Sequence, residues 1–201
     1  MDQVVAPAAT WMARGFDDPV AASQLVFRGL MDALSRPGRI VDLHAPPAFP
    51  GPLDAGSAAI TLALLDFETR LFLPEGCAAA GSWLRFHTGC RLTRGPEDAD
   101  FVLVPRGHDC PDLARIRQGT DEAPHLSAML IVAVEALGAG TRFRLTGPGI
   151  DGQTWLAIEG LSPGLVAQRH TLAQAFPRGI DLVLTCGAHA TALPRTTRME
   201  G

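Results

Sequence analysis

The sequence predicts an α/β fold, a layered α/β/α domain with a mixed sheet. Segments with the apolar period of helices alternate with short apolar segments typical of strands through much of the 201-residue chain. Residues 126–134 form a nearly continuous apolar run, which indicates a central strand buried on both faces. Residues 142–145 and 154–158 instead alternate polar and apolar side chains, so we expect an antiparallel hairpin with one wet face.

The clearest single element is a helix from about residue 18 to residue 36. Asp17 or Asp18 is suited to cap its N-terminus, and Pro19 fits its first turn. Its apolar face is predicted to consist of Val20, Phe27, Leu30, Met31 and Leu34. The Pro-Gly pair at 37–38 ends the helix.

Shorter elements follow this helix in alternation. Strands are predicted at residues 39–43, 69–73, 100–104, 126–134 and 180–185, besides the hairpin, whose turn is Gly-Pro-Gly at 147–149. Further helices are predicted at residues 57–66 (capped by Ser57), 109–118 and 163–176. Residues 83–88 fit a helix or a strand, and residues 44–56 form a proline-rich loop.

The chain is predicted to form a single domain over residues 1–201, with residues 1–14 and 195–201 as extended tails. Its length fits one domain, and no internal repeat or linker divides it. Charged residues make up 19% of the chain and hydrophobic residues 47%. This balance leaves apolar surface for a subunit contact, although a compact monomer with little surface charge also fits.

The composition excludes several chemistries. All 17 basic residues are arginine and tyrosine is absent, so no lysine can form a Schiff base and no phenol can transfer a proton. A biased codon usage explains why all the basic residues are arginine.

The net charge is −4 without a long basic run, so nucleic-acid binding is not expected. No secretory leader is evident and the longest apolar run, residues 55–65, is about half a membrane span, so we expect a cytoplasmic protein without membrane contact.

Two loops carry residues of catalytic type. His108, Asp109 and Cys110 are adjacent, and a thiol beside an imidazole and a carboxylate can act as a nucleophile. The alternative is a polar loop in which Asp109 caps the next helix. Residues 186–189 (Cys-Gly-Ala-His) follow the predicted last strand and form either a ligand loop or a connection to the tail. The four cysteines do not show the paired spacing of metal ligands, so we expect free thiols and no metal site.

Arginines near the C-terminus suggest contact with an anion or a partner. Arg195 and Arg198 flank two threonines, and guanidinium and hydroxyl groups both suit phosphate. Arg36 and Arg39 contribute if the fold brings them close. The same segment also fits a solvated tail or an arm docked on a neighbouring protein. The glycines at 147 and 149 join two strands, so they are not a dinucleotide-binding loop.

Four sequence blocks, in a fixed order along the chain, indicate a protein family. They are GFDDPV at 15–20 with its helix to Gly38, GPGI at 147–150, FPRGIDLVL at 176–184 and ALPRTTR at 192–198. Together they resemble the PhnH subunits of the bacterial carbon–phosphorus lyase system, over residues 15–198. The resemblance implies a fold like that of pyridoxal-phosphate-dependent transferases, without the cofactor site and without any cofactor.

The resemblance also implies a role. The family forms homodimers and joins PhnG, PhnI and PhnJ in a core complex. With PhnG, PhnI and PhnL it supports transfer of ribose triphosphate from ATP to an alkylphosphonate, with release of adenine; PhnJ then breaks the C–P bond. No catalytic residue is implied for this chain, which is therefore expected to be an accessory subunit. The alternatives are an independent enzyme using His108, Asp109 and Cys110, and a small protein that binds anions or nucleotides.

Overall fold

The structure, a computed structural model, describes residues 14–201. Four α-helices are present: α1 (Pro19–Ser35), α2 (Ala55–Leu64), α3 (Ala78–Thr88) and α4 (Pro163–Leu172). The strands are β1 (Val41–Asp42), β2 (Arg70–Phe72), β3 (Arg91–Leu92), β4 (Phe101–Val104), β5 (Met129–Ala133), β6 (Ala136–Thr146), β7 (Thr154–Glu159), β8 (Asp181–Cys186), β9 (His189–Leu193) and β10 (Arg198–Glu200). Short 3₁₀ turns lie at Pro96–Asp98, Leu113–Arg115, Pro124–Leu126 and Ala173–Ala175.

Seven strands form one mixed sheet in the order β1-β9-β8-β5-β4-β2-β3. Strands β2, β3, β4, β5 and β8 run parallel, whereas β9 runs antiparallel to its neighbours β8 and β1. The α/β class and the mixed sheet are therefore confirmed. The central strands are apolar on both faces, because other elements of the chain cover both faces of the sheet. The apolar run at residues 126–134 had indicated such a strand.

The two faces of the sheet carry separate core clusters. On one face Leu71, Leu103 and Ile131 pack with buried residues of α1, α2 and α3. On the other face Val102 and Leu130 pack with Leu165 of α4 and with the buried side chains of a second sheet, ordered β10-β6-β7. The hairpin predicted around residues 147–149 is confirmed, but it lies in this second sheet. The outer layer on that face is therefore one helix plus three strands, and not helices alone.

The apolar face of α1 differs in part from the predicted one: Leu30 is buried and Leu34 packs against the core, as predicted, but the other three residues do not. The helix buries Ala22, Val26, Leu30 and Ala33, whereas Val20, Phe27 and Met31 are exposed. This face packs against α2 and β9, whose buried residues are mostly small, and two of its own four buried residues are alanine. The period predicted the helix correctly, and Asp18 caps it by accepting hydrogen bonds from Val20 and Ala21.

Three further predictions need correction. Helix α2 begins earlier than predicted and is capped by Asp54, with Ser57 as the third residue of a capping box. Residues 109–118 contain only a 3₁₀ turn, because Arg117 and Gln118 form backbone pairs with the strand-like segment before β5. Strand β8 is not the last strand, since β9 and β10 follow it. Residues 83–88 belong to a helix, α3.

Candidate functional site

The C-terminal ends of the parallel strands form a crevice between β2 and β4. These neighbours send their connections to opposite faces of the sheet: α3 joins the first core cluster, while Leu113 and Ile116 of the β4–β5 connection join the second. In open α/β sheets ligands bind where neighbouring connections diverge in this way, outside the carboxyl ends of the strands. The crevice is therefore the candidate functional site.

Two cavities flank this crevice. The larger, of about 460 Å³, lies between the ends of β4 and β5 and the N-terminus of α4, and its polar lining includes Arg106, His108, Asp109 and Glu135. A smaller cavity of about 240 Å³ lies beside β2 and β3 and is lined by Cys77. Small-molecule sites commonly enclose about 300–1,000 Å³, so the larger cavity has room for a metabolite.

His108 and Cys77 meet between the two cavities. The Nε2 atom of His108 lies 3.5 Å from the Sγ atom of Cys77, and its Nδ1 atom lies 3.2 Å from the backbone oxygen of Arg106. Cys77 is the N-cap residue of α3 and is buried. Within residues 14–201 no hydrogen bond joins His108 to Cys110, and Asp109 caps no α-helix. The fold thus pairs His108 with a thiol 31 residues away instead of the nearby one.

Burial keeps both thiols protonated. Burial raises the pKa of Cys110 to about 12, and it raises the pKa of Cys77 as well. The thiolate is the nucleophilic form of cysteine, so neither sulfur is activated at neutral pH. The His108–Asp109–Cys110 hypothesis stays a prediction, with geometry and burial against it.

The C-terminal arginines pack on the body of the chain. Arg195 donates hydrogen bonds to the Asp181 carboxylate (2.7 Å), the Ser127 hydroxyl (2.7 Å) and the Pro124 carbonyl (2.6 Å). Arg198 lies in β10, which pairs with β6. Residues 195–200 therefore form neither a free tail nor an arm reaching away from the chain. Apart from residue 14, the predicted N-terminal tail lies outside the described residues.

The four arginines suggested as an anion site do not converge. Arg36 and Arg39 both form ion pairs with Asp32 and line an open depression of about 350 Å³. Arg195 is neutralised by Asp181, and Arg198 lines a different cavity, between α4 and β10. Their grouping into one site stays a prediction that this geometry does not support.

Residues 186–189 form the tight turn between β8 and β9. The Sγ atom of Cys186 donates to the backbone oxygen of Glu135 at 3.2 Å, and the Nδ1 atom of His189 lies 2.6 Å from the Asp42 carboxylate. The turn is thus a hairpin between antiparallel strands, and not a connection to a tail. Within residues 14–201 no three histidine, cysteine or acidic residues lie close enough to hold a metal ion.

Sequence reasoning missed Cys77 and Arg106. Each belongs to a Gly-containing loop directly after a parallel strand, Cys77 after β2 and Arg106 after β4. This position was the available signal, because the carboxyl ends of parallel strands share one edge of the sheet. This signal could be used only once the strand order was known, and the strand order does not follow from the sequence alone.

The family comparison decides what this chain is related to. A family model described as bacterial phosphonate metabolism protein (PhnH) matches residues 14–200. The chain belongs to the PhnH family. A PhnH protein of Rhizobium meliloti (strain 1021), named alpha-D-ribose 1-methylphosphonate 5-triphosphate synthase subunit PhnH, is 38% identical over 187 residues, covering 92% of this chain and 94% of that protein. A putative C-P lyase subunit protein HtxG of Stutzerimonas stutzeri is 33% identical over 178 residues, covering 88% of this chain and 85% of that protein.

Two of the sequence blocks that resembled the PhnH family meet in space. The turn at residues 147–149 lies against the C-terminal end of α1, where a Cβ added at Gly149 would overlap the backbone oxygen of Ser35. Gly149 has φ of +84°, a conformation that glycine adopts without strain. The turn thus fixes the second sheet to the first helix.

Among the helices of residues 14–201, none combines the length and the apolar character that a bilayer crossing requires.

Proposed function

We propose that this protein is an accessory, non-catalytic subunit of a carbon–phosphorus lyase core complex. The observation that carries the proposal is the match to the PhnH family over residues 14–200, together with the relative named as a subunit of a ribose methylphosphonate triphosphate synthase. In this role the chain forms a homodimer, joins PhnG, PhnI and PhnJ in the cytoplasm, and acts with PhnL. The complex transfers ribose triphosphate from ATP to an alkylphosphonate and releases adenine.

The chemistry of the crevice supports a non-catalytic role. Cys77 and Cys110 are the nucleophile candidates at the crevice, and burial raises the pKa of both thiols. Without lysine or tyrosine, the proton-transfer groups near the crevice reduce to His108 and the carboxylates. The imidazole of His108 is held against a neutral thiol and a backbone oxygen.

Exposed apolar side chains support a role in assembly. Val20 is 71% exposed and Phe27 is 51% exposed on α1, and Phe67 is 66% exposed in the loop before β2. Large apolar side chains in water are costly to solvate, and contiguous groups of them commonly mark subunit contacts. Val20 and Phe27 are seven residues apart, so they lie on the same face of α1.

A relation to the pyridoxal-phosphate-dependent transferases is part of the same proposal. The open mixed α/β sheet fits that relation, and the lack of lysine fits a branch of the fold without the Schiff base. In this proposal the fold serves as a scaffold without the Schiff-base site, and the partner subunits carry out the reaction.

Reconstitution tests the proposal. PhnG, PhnI, PhnJ and PhnL are produced with and without this chain, and adenine release from ATP and methylphosphonate is measured. We expect this chain to co-purify with PhnG, PhnI and PhnJ, and adenine release to require it. The purified chain alone is expected to release no adenine. Recovery of the chain free of all partners under mild conditions, or adenine release by the chain alone, would contradict the proposal.

A further inference from the structure

A polar cavity of about 260 Å³ lies between α4 and β10, on the opposite side of the sheet from α1. Its lining includes Arg169, His170, Gln174, Thr197, Arg198 and Glu200. A water molecule occupies about 30 Å³ in the liquid, so the cavity has room for a small ion together with part of its hydration shell.

Arg169 gives one wall of this cavity a positive charge. The side chain is buried, and its guanidinium donates to the carbonyl oxygens of Ile180 (3.2 Å), Leu193 (2.7 Å) and Pro194 (2.6 Å). Carbonyl oxygens carry no net charge, so they orient the guanidinium without neutralising it. Burial lowers the pKa of Arg169 to about 10, and the group therefore stays charged at neutral pH.

The nearest carboxylates are engaged by other arginines. Asp181, which favours the charged form of Arg169, forms its ion pair with Arg195 at 2.7 Å. Glu200 lines the cavity but forms an ion pair with Arg144. The cavity therefore retains the positive charge of Arg169.

Arg198 adds a second positive charge at the cavity mouth. It is exposed in β10 and forms no salt bridge within residues 14–201. Arg144 is the main cause of the lowered pKa of Glu200, but His170 and Arg198 contribute to it, which places all three basic groups around one carboxylate. Positive charge therefore exceeds negative charge at this mouth.

Two buried polar groups of the lining also lack partners. The Nε atom of Arg169 and the hydroxyl of Thr197 are buried without a hydrogen bond. Thr197 is only 2% exposed, and buried polar groups are seldom left unpaired. These unpaired donors belong to residues that line a small positive cavity but lie behind its surface, where a tetrahedral oxyanion, with several acceptor oxygens and negative charge, would supply the acceptors that they lack.

We propose that the cavity between α4 and β10 binds a tetrahedral oxyanion, a phosphate or phosphonate group that is either free or at the end of a larger molecule. The argument rests on charge and hydrogen-bond donors, and it does not require the chain to belong to a complex. The site lies apart from the crevice at the ends of β2 and β4, because it is built from different elements on the second face of the sheet.

Calorimetry on the purified full chain tests this site. Inorganic phosphate, methylphosphonate and metal-free ATP are titrated separately, in a low-salt buffer without phosphate. We expect saturable binding of at least one of them, weakened roughly tenfold in Arg198→Gln because one charge-assisted contact is lost. Arg28→Gln is the matched control, since Arg28 is exposed on α1 across the sheet and forms no salt bridge within the described residues. This control is expected to bind as the wild type does.

The three ligands separate the sources of the oxyanion. Binding of phosphate and methylphosphonate but not ATP identifies a site for the free ion, whereas binding of ATP alone identifies a site for a terminal phosphate. Thr197→Val, which removes only the hydroxyl, should weaken binding while the melting temperature shows that the chain stays folded. The inference is wrong if no ligand gives saturable heat, or if Arg28→Gln weakens binding as much as Arg198→Gln. A chain that joins the complex but binds no anion would overturn this inference alone.

Discussion

Arginine side chains perform two different tasks in this molecule, and their partners distinguish the tasks. At the N-terminal edge of the main sheet Arg70 and Arg117 both bind Asp100, and Arg195 binds Asp181. Burial acts to raise the pKa of Asp100, but hydrogen bonds and charge from Arg70 and Arg117 outweigh it and hold the pKa below its usual value. These arginines join strands. Arg169 instead donates to backbone carbonyls, and Arg198 forms no salt bridge within residues 14–201, so neither charge is neutralised by a carboxylate partner.

Arg195 is predicted to contribute more to stability than a surface arginine does. Arg195→Ala should lower the free energy of unfolding by about 2 kcal/mol, because it leaves a largely buried Asp181 without its partner. Arg39→Ala is the matched control, since its ion pair with Asp32 is more exposed and should be worth less than about 1 kcal/mol. Urea unfolding of the two variants measures the difference. Equal losses would show that residues 195–200 do not hold β8 in place.

Cys110 is predicted to be an unreactive thiol. With its pKa raised to about 12 by burial, little thiolate forms at pH 8, so iodoacetamide should alkylate it at least about tenfold more slowly than free glutathione. Site-resolved mass spectrometry measures the rate for each cysteine, with glutathione in the same reaction as the reference. Labelling of Cys110 as fast as glutathione would restore the nucleophile hypothesis.

At the scale of elements, α1 shows what periodicity cannot decide. The period of apolar residues established the helix and its ends within one residue. It did not establish the buried face, because Val26 and Leu30 lie beside Phe27 and Met31 on the helix and both pairs are apolar. The packing of α2 and β9 against α1 buries the face with Val26 and Leu30, and Phe27 and Met31 stay exposed.

The turn at residues 147–149 provides a test of how the second sheet is fixed. Gly149→Ala should destabilise the protein more than Gly152→Ala, although both glycines have positive φ, +84° and +69°. The shared cost of that conformation is about 1 kcal/mol. Only at Gly149 does the added methyl overlap the end of α1, which should cost about 1–3 kcal/mol more, whereas nothing lies within 4 Å at Gly152. Thermal unfolding compares the two, and indistinguishable variants would mean that the turn is not fixed against α1.

At the scale of the whole molecule, the exposed apolar side chains predict self-association. We expect the native mass in solution to be about twice the 21.3 kDa of one chain. An apolar contact is not screened by ions, so the mass should be the same in about 0.1 M and about 1 M salt. Sedimentation at several protein concentrations measures this mass. A mass of one chain at every concentration would contradict the proposed homodimer.

The sequence by itself determined the features that neighbouring residues control. The α/β class, α1, β4, β5 and the hairpin follow from local apolar period and turn chemistry, and the four ordered blocks indicated the family. Local order was enough because side chains three to four residues apart in a helix, or two apart in a strand, share one environment.

Tertiary structure alone decided which polar groups are paired. Arg195 finds a carbonyl 71 residues away, and His108 meets a thiol 31 residues away. The same is true of β9 and β10, whose partner strands fix them in sheets although their own sequences carry little strand signal. Charge neutralisation and burial depend on what lies across the sheet, so only the folded chain separates the arginines that hold strands together from those available to an anion.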